Sequence, residues 1–179
     1  MTDETSPRIY VACLAAYNNG YLHGTWIDAN QDADTIRDEI NEMLKASPIE
    51  GAEEFAIHDY EGFEGVTISE YQGIDSVARL AAFIGEHGAL GAGLLEQFCG
   101  DGCADGALDQ AEAAMADNYL GQYPSLPDYM QEITTECVKI PEEVRNYIDW
   151  EAMARDAQMG GDLFVIETGY DQVHVFSGR

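Results

Sequence analysis

The sequence predicts an α+β fold, with small antiparallel sheets towards both ends of the chain and helices between them. Short apolar runs bounded by turn residues lie near the two ends, while apolar residues at helical spacing fill the middle. The hydrophobic content of 46% and the aromatic content of 10% are sufficient for a core. These values exclude an intrinsically disordered chain.

The N-terminal region predicts a β-β-α-β unit. Arg8–Ala16 is typical of a buried strand, and Asn18-Asn19-Gly20 is a turn signal before a second strand, Tyr21–Asp28. Glu54–Tyr60 predicts the third strand. Between the second and third strands, Ala33–Lys45 predicts an amphipathic helix with Asp32 as its N-cap. The apolar face of this helix consists of Ile36, Ile40, Met43 and Leu44.

The rest of the chain predicts helices followed by a closing hairpin. Glycine and proline separate the helical segments, as at Gly88, Gly121 and Pro124. The helices are Ser76–Glu86, Leu90–Cys99, Leu108–Tyr119, Leu126–Thr135, Glu142–Tyr147 and Glu151–Gln158. Leu163–Glu167 and Gln172–Phe176 form the hairpin. These signals predict three domains: residues 1–61, a central helical domain at 62–103, and an α+β domain at 104–179.

Charge is the most unusual property of the sequence. There are 34 acids and 8 Lys or Arg, which gives a net charge of −26. This balance argues against direct binding to nucleic acid or to an anionic membrane, since both depend on basic residues. A folded chain of this length has a diameter of roughly 40 Å. The same charge occupies roughly 44 Å of B-DNA, so the protein matches duplex DNA in charge per unit length.

Acids recur at helical spacing, and the segment from Ala46 to Val138 contains a single Lys or Arg, Arg79. Each i, i+4 step rises about 6 Å along a helix, close to the roughly 6.8 Å rise of two nucleotides on one strand. These rows are either a solvated surface or a contact surface for a basic partner. The three rows are Asp34, Asp38 and Glu42; Asp105, Asp109 and Glu112; and Asp128, Glu132 and Glu136.

The acids are also compatible with calcium binding or with adaptation to high salt. Asp101–Glu112 partly fits a calcium-binding loop, although Cys103 stands where an oxygen ligand is needed, and a capping box from Asp109 to Glu112 explains the same residues. Adaptation to high salt would account for many acids and few lysines without any specific partner.

Catalytic and targeting motifs are absent from the sequence. It has no nucleophile, phosphate-binding or dinucleotide motif, so we expect neither an enzyme nor a cofactor. Its four cysteines lack a disulfide-like spacing, and no secretory signal is evident, which predicts a cytoplasmic protein.

Large apolar residues near Asn118–Tyr129 exceed what one short helix pair normally buries. We therefore expect this region to form a symmetric dimer interface, with filling of the chain's own core as the alternative. Gly121 and Pro124 would hold the turn that presents the patch. The interface residues are Tyr119, Leu120, Tyr123, Leu126 and Tyr129.

Nearly the whole sequence resembles the ArdA antirestriction proteins of mobile genetic elements. The resemblance is carried by RIYVACLAAYNNGYLHGTWIDA, EEFAIHDYEGF, YLGQYPSLPDYMQEIT and PEEVRNYIDWEAMARDAQMGGDLFVIETGYDQVHVF. Leu108–Tyr123 is similar to the antirestriction motif of the family, but is less acidic at Ala113–Ala116.

This resemblance implies an elongated, curved homodimer that carries carboxylates in place of DNA phosphates. Such a protein would occupy the DNA-binding groove of type I restriction–modification enzymes, on the methyltransferase core of specificity and modification subunits. It would protect incoming mobile DNA. The acids expected to bind the enzyme are the three helical rows together with Asp59, Glu61, Glu64 and Asp117.

Overall fold

A computed structural model describes residues 6–99 and 104–178 of the protein. The chain divides into two units, Met1–Leu108 and Asp109–Arg179. Each unit contains one antiparallel sheet of three strands, which confirms the predicted α+β class. The predicted division into three domains, with boundaries after residues 61 and 103, stays a prediction.

The first sheet consists of β1 (Arg8–Cys13), β2 (Gly24–Asp28) and β3 (Phe55–Glu61), in the order β2-β1-β3. The predicted first strand was too long, because the chain turns into a short helix α1 (Leu14–Asn18) directly after β1. The Cys13 sulfur caps this helix by accepting a hydrogen bond from the Ala16 amide at 3.4 Å. The predicted start of the second strand at Tyr21 was also wrong.

The helix predicted over Ala33–Lys45 is confirmed as α2, with the same bounds. Asp32 caps it as expected, since its Oδ1 accepts a hydrogen bond from the Thr35 amide at 3.0 Å. Hydrogen bonds from the Thr35 hydroxyl and amide lower the pKa of the Asp32 carboxyl. The predicted apolar face is buried, and it comprises Ile36, Ile40, Met43 and Leu44.

The helix α3 (Ile74–Phe98) is interrupted at Gly88, whose φ of 53° and ψ of −135° are not helical. Only glycine adopts this conformation readily, so the break predicted there from the sequence is confirmed. Val77, Leu80 and Leu94 on the two halves of α3 are fully buried. The helix α4 (Ala104–Ala113) continues into a π-helical turn at Ala114–Asn118.

In the second unit, β4 (Tyr119–Tyr123) is followed by three helices and a hairpin. The sheet has the order β4-β6-β5, so β4 lies at an edge and pairs with the last strand of the chain. Helical structure was predicted up to Tyr119, and a turn near Gly121, where the structure has this strand. The remaining elements are α5 (Leu126–Cys137), α6 (Glu142–Arg145), α7 (Trp150–Met159), β5 (Leu163–Gly169) and β6 (Gln172–Ser177).

The core of the second unit is a cluster between its helices and its sheet. Leu126 at the start of α5 and Ala154 on α7 pack against Val173 and Val175 of β6. This cluster explains why α5 and α7 lie side by side over the hairpin, since each contributes one small apolar stripe. Partly buried residues around it are Tyr123, Tyr129, Met130, Leu163 and Val165.

Candidate acidic binding surface

The carboxylates of the protein face solvent. Every Asp and Glu whose side chain the structure describes is exposed, apart from Glu39 and Glu61, which are half-buried. Arg8, Arg37 and Arg155 pair with carboxylates, but eight basic residues can neutralise only a small part of 34 acids. The charge therefore produces a strong negative field outside the protein.

The row on α2 lies on the side of the helix opposite its buried face. Asp34, Asp38 and Glu42 are all exposed, as expected. Asp34 differs from the other two because the Arg37 Nη1 lies 2.9 Å from its Oδ1. Arg37 also pairs with Asp75 at the start of α3. Asp38 and Glu42 therefore contribute more of the external field of α2 than Asp34 does.

The row on α5 is likewise exposed along its length. Asp128 is part of the helix cap, because its amide donates to the Ser125 Oγ at 3.2 Å and its Oδ2 accepts from that hydroxyl. The carboxylates of Glu132 and Glu136 take no part in a helix cap among the described residues. Glu136 also stands one residue from the C-terminus of α5, where a negative charge is unfavourable. Its position gives the helix no stability.

The row on α4 is partly described. Asp109 and Glu112 are exposed within the helix, and Asp117 is exposed in the π-helical turn, whereas the side chain of Asp105 lies outside the described residues. The capping box predicted from Asp109 to Glu112 was wrong, because α4 begins five residues earlier at Ala104.

The calcium-loop hypothesis concerns the same segment. Its first and third positions, Asp101 and Cys103, lie outside the described residues. From Ala104 onwards the segment is helical, so Gly106 does not form the sharp turn that a calcium loop needs at its sixth position. Within the described residues, no group of three or more His, Cys, Asp or Glu side chains is arranged to hold a metal ion.

The remaining predicted acids belong to the first unit. Asp59 is exposed on β3, and Glu61 at the end of that strand forms an ion pair with Arg8 of β1. Glu64 is exposed in the following loop and has a φ of 50°. Thus each unit carries exposed candidate acids on more than one element.

The residues predicted for the dimer interface divide into two groups. Tyr119 and Leu120 on the edge strand β4 are 36% and 40% exposed, so they are available for contact. Leu126 is buried in the unit's own core, and Tyr123 and Tyr129 pack against it with their rings 5.0 Å apart. The interface role of these five residues stays a prediction.

One buried polar group also supports β4. His174 on β6 is hydrogen-bonded to the Tyr119 hydroxyl at 2.9 Å through Nδ1 and to the Thr168 hydroxyl at 3.1 Å through Nε2. Its burial lowers the pKa of the imidazole. Because Tyr119, His174 and Thr168 come from all three strands, this network ties β4 to the hairpin.

A family model described as "Antirestriction protein (ArdA)" matches residues 9–172 of the 179. The chain belongs to the ArdA family. Antirestriction is therefore its function, and restriction enzymes are the proteins on which an ArdA chain acts. The family consists of inhibitors and not of known enzymes.

None of the curated proteins compared with this ArdA chain matches it. Within its described residues, no helix is both long enough and apolar enough to span a lipid bilayer.

Proposed function

We propose that this protein is a DNA mimic that competes with DNA for the binding groove of type I restriction–modification enzymes. Its partner is the methyltransferase core formed by the specificity and modification subunits. By occupying the groove in the cytoplasm, it protects an incoming mobile element from cleavage. The observation that carries the proposal is the exposure of the acidic rows in a protein of the antirestriction family.

Electrostatics explains why such a surface competes with DNA. A groove that binds duplex DNA presents Lys and Arg at the spacing of phosphates, and much of its affinity comes from released counterions. The exposed rows on α2 and α5 offer carboxylates about 6 Å apart along each helix axis. One step of such a row is close to the rise of two nucleotides along one DNA strand. The same acids repel DNA, so competition needs no contact between the protein and nucleic acid.

A displacement assay tests the proposal. Labelled duplex DNA containing the target sequence is bound to the methyltransferase core, and the protein is titrated against it at several DNA concentrations. We expect the protein concentration needed for half displacement to rise in proportion to DNA above saturation. Inhibition that stays unchanged as DNA is raised far above saturation would contradict competition.

A melting curve of the protein in low salt tests the alternative of adaptation to high salt. Unfolding in low salt would favour that alternative.

We further propose that the protein acts as a homodimer through β4. Tyr119 and Leu120 are exposed on a strand that lies at the edge of its sheet, where one row of backbone groups has no partner strand within the described part of the unit. A symmetric dimer would double the length of the acidic surface through one self-complementary patch.

Light scattering tests this dimer. Leu120→Asp should give a folded monomer that still binds the methyltransferase core, but more weakly. Leu22→Asp is the matched control, because Leu22 is 93% exposed in the other unit and its replacement should leave the mass unchanged. Tyr119→Asp repeats the test on the neighbouring residue, with Tyr119→Phe to separate loss of its bond to His174. A folded Leu120→Asp protein with the dimer mass refutes the interface.

A further inference from the structure

The outward face of the first sheet carries a pair of aromatic rings beside carboxylates. Tyr10 on β1 lies directly opposite Trp26 on β2, and the two rings are 5.6 Å apart. On the other side of β1, Asp59 of β3 lies opposite Tyr10. Trp26, Tyr10 and Asp59 thus form one row across the sheet, which we call the aromatic row.

This row points away from the core. Ile9 and Val11, on either side of Tyr10 in β1, are fully buried, so the alternation along the strand places Tyr10 on the opposite face. Trp26 is 38% exposed and Asp59 is exposed. A tryptophan exposed on a sheet face is unusual, because this residue type is strongly buried on average.

Gly24 on β2 leaves the space that the Tyr10 ring occupies. A Cβ atom added at Gly24 would lie 2.8 Å from the Cζ and hydroxyl oxygen of Tyr10. It would also lie 2.5 Å from the Val11 carbonyl oxygen, so no side chain fits at this position. The ring therefore lies along β2 beside Trp26, and its position depends on the glycine.

Arg8 shows that this face of the sheet can hold a guanidinium group. In the neighbouring row, Arg8 of β1 lies opposite both Asp28 of β2 and Glu61 of β3. Its guanidinium lies over the Trp26 ring, with Cζ 4.9 Å from the centroid, and it pairs with Glu61. One guanidinium is thus held by an aromatic face and a carboxylate on this sheet.

The aromatic row offers the same two groups at Tyr10 and Asp59, and Trp26 stays 38% exposed with Arg8 over its ring. Asp59 stands beside Tyr10 as Glu61 stands beside Arg8, and Asp59 has no basic partner among the described residues. The planar guanidinium of arginine matches a ring and a carboxylate better than the compact ammonium of lysine does.

The geometry points to a docking site for an arginine side chain of the restriction enzyme, stacked on Tyr10 and on the part of Trp26 that Arg8 leaves exposed, and paired with Asp59. This inference rests on the proposed function and adds to the general attraction between charges a specific site for one type of side chain. A DNA-binding arginine contacts phosphates, and Asp59 presents a carboxylate in place of one, while the aromatic rings add a stacking contact that a phosphate lacks. The site would select arginine over lysine, which a field of carboxylates alone does not.

Trp26 provides a direct readout, since the chain has only two tryptophans and Trp150→Phe leaves Trp26 as the single one. In that variant, capped tri-arginine and tri-lysine peptides of equal charge are titrated against Trp26 fluorescence. We expect tri-arginine to change the emission at a concentration several-fold lower than tri-lysine, and Asp59→Asn to remove this preference. Equal responses to the two peptides would overturn the site.

Inhibition gives the second test. Trp26→Leu keeps the net charge, and we expect displacement of DNA from the methyltransferase core to weaken roughly 2- to 30-fold. Trp26→Phe should restore most of the effect. Tyr71→Leu is the matched control, because Tyr71 is 70% exposed beside Glu70 but lies outside the sheet, and it should inhibit like the original protein.

The two inferences fail in different ways. If the unaltered protein does not displace DNA, the proposed function fails, and the peptide titration alone decides whether the row binds arginine. If the unaltered protein displaces DNA and a folded Trp26→Leu protein does so equally well, the docking site is refuted while the DNA mimic stands. Asp59→Asn, which leaves the rings in place, repeats this comparison without any change in the packing of Trp26.

Discussion

Neutralising unpaired acids of the helical rows should weaken inhibition in small, cumulative steps. The acids to change are Asp38 and Glu42 on α2, and Glu132 and Glu136 on α5, as Asn or Gln. Each side chain is exposed, so its contact with a basic partner is worth about 0.2–1 kcal/mol, which is roughly 1.4- to 5-fold in affinity. If the four contributions add, the quadruple variant should bind roughly 4-fold to several hundred-fold more weakly.

The structure also supplies a matched control for this series. Asp34 belongs to the same row as Asp38, but Arg37 lies 2.9 Å away and offsets its field. Asp34→Asn should therefore weaken binding less than Asp38→Asn does. Both changes remove at least one like-charged i, i+4 pair, which relieves about 0.2–0.5 kcal/mol of repulsion per pair within α2, but Asp34→Asn also removes the ion pair with Arg37.

The measurement is displacement of labelled DNA from the methyltransferase core at two salt concentrations, with a melting curve for each variant. Differences between variants should shrink at high salt, since exposed charges are screened there. Loss of all inhibition in one folded single variant would refute a summed field and indicate a localised site. A quadruple variant that inhibits like the original protein would refute a role for these rows.

The remaining predictions concern stability. Leu126→Ala should lower the free energy of unfolding of the second unit by about 2–5 kcal/mol in urea denaturation, because it leaves a cavity in the core. Gly88→Ala should cost about 1–3 kcal/mol through its backbone strain, while Gly106→Ala within α4 should gain up to about 1 kcal/mol, as melting curves would show. Burial lowers the pKa of His174 below its ordinary 6.5, so the unfolded chain binds the proton more readily and stability should fall as the pH drops below 6.5. His174→Gln should reduce this loss in melting curves at pH 5 to 8, and an unchanged pH dependence would contradict the assignment.

Local sequence signals predicted the elements that depend on nearby residues. The bounds of α2 followed from the Asp32 cap and the apolar stripe, and the break at Gly88 followed from glycine alone. The hairpin β5-β6 was also predicted near its observed bounds, since a single turn joins its strands. The exposure of the acids was predictable for the same kind of reason, because a carboxylate without a partner stays in water.

The features that local sequence signals did not predict depend on pairing between distant segments of the chain. Tyr119–Tyr123 carries a glycine and follows a helical pattern, yet it is a strand because β6, some fifty residues further on, supplies its partner. The row of Trp26, Tyr10 and Asp59 likewise comes from three separate strands. Its alignment depends on the irregularity in the β1–β3 pairing between Tyr10 and Val11, which shifts the register by one residue. Composition and local periodicity therefore determined the helices and the surface charge, whereas strand register, which only tertiary pairing fixes, determined which side chains meet on each sheet.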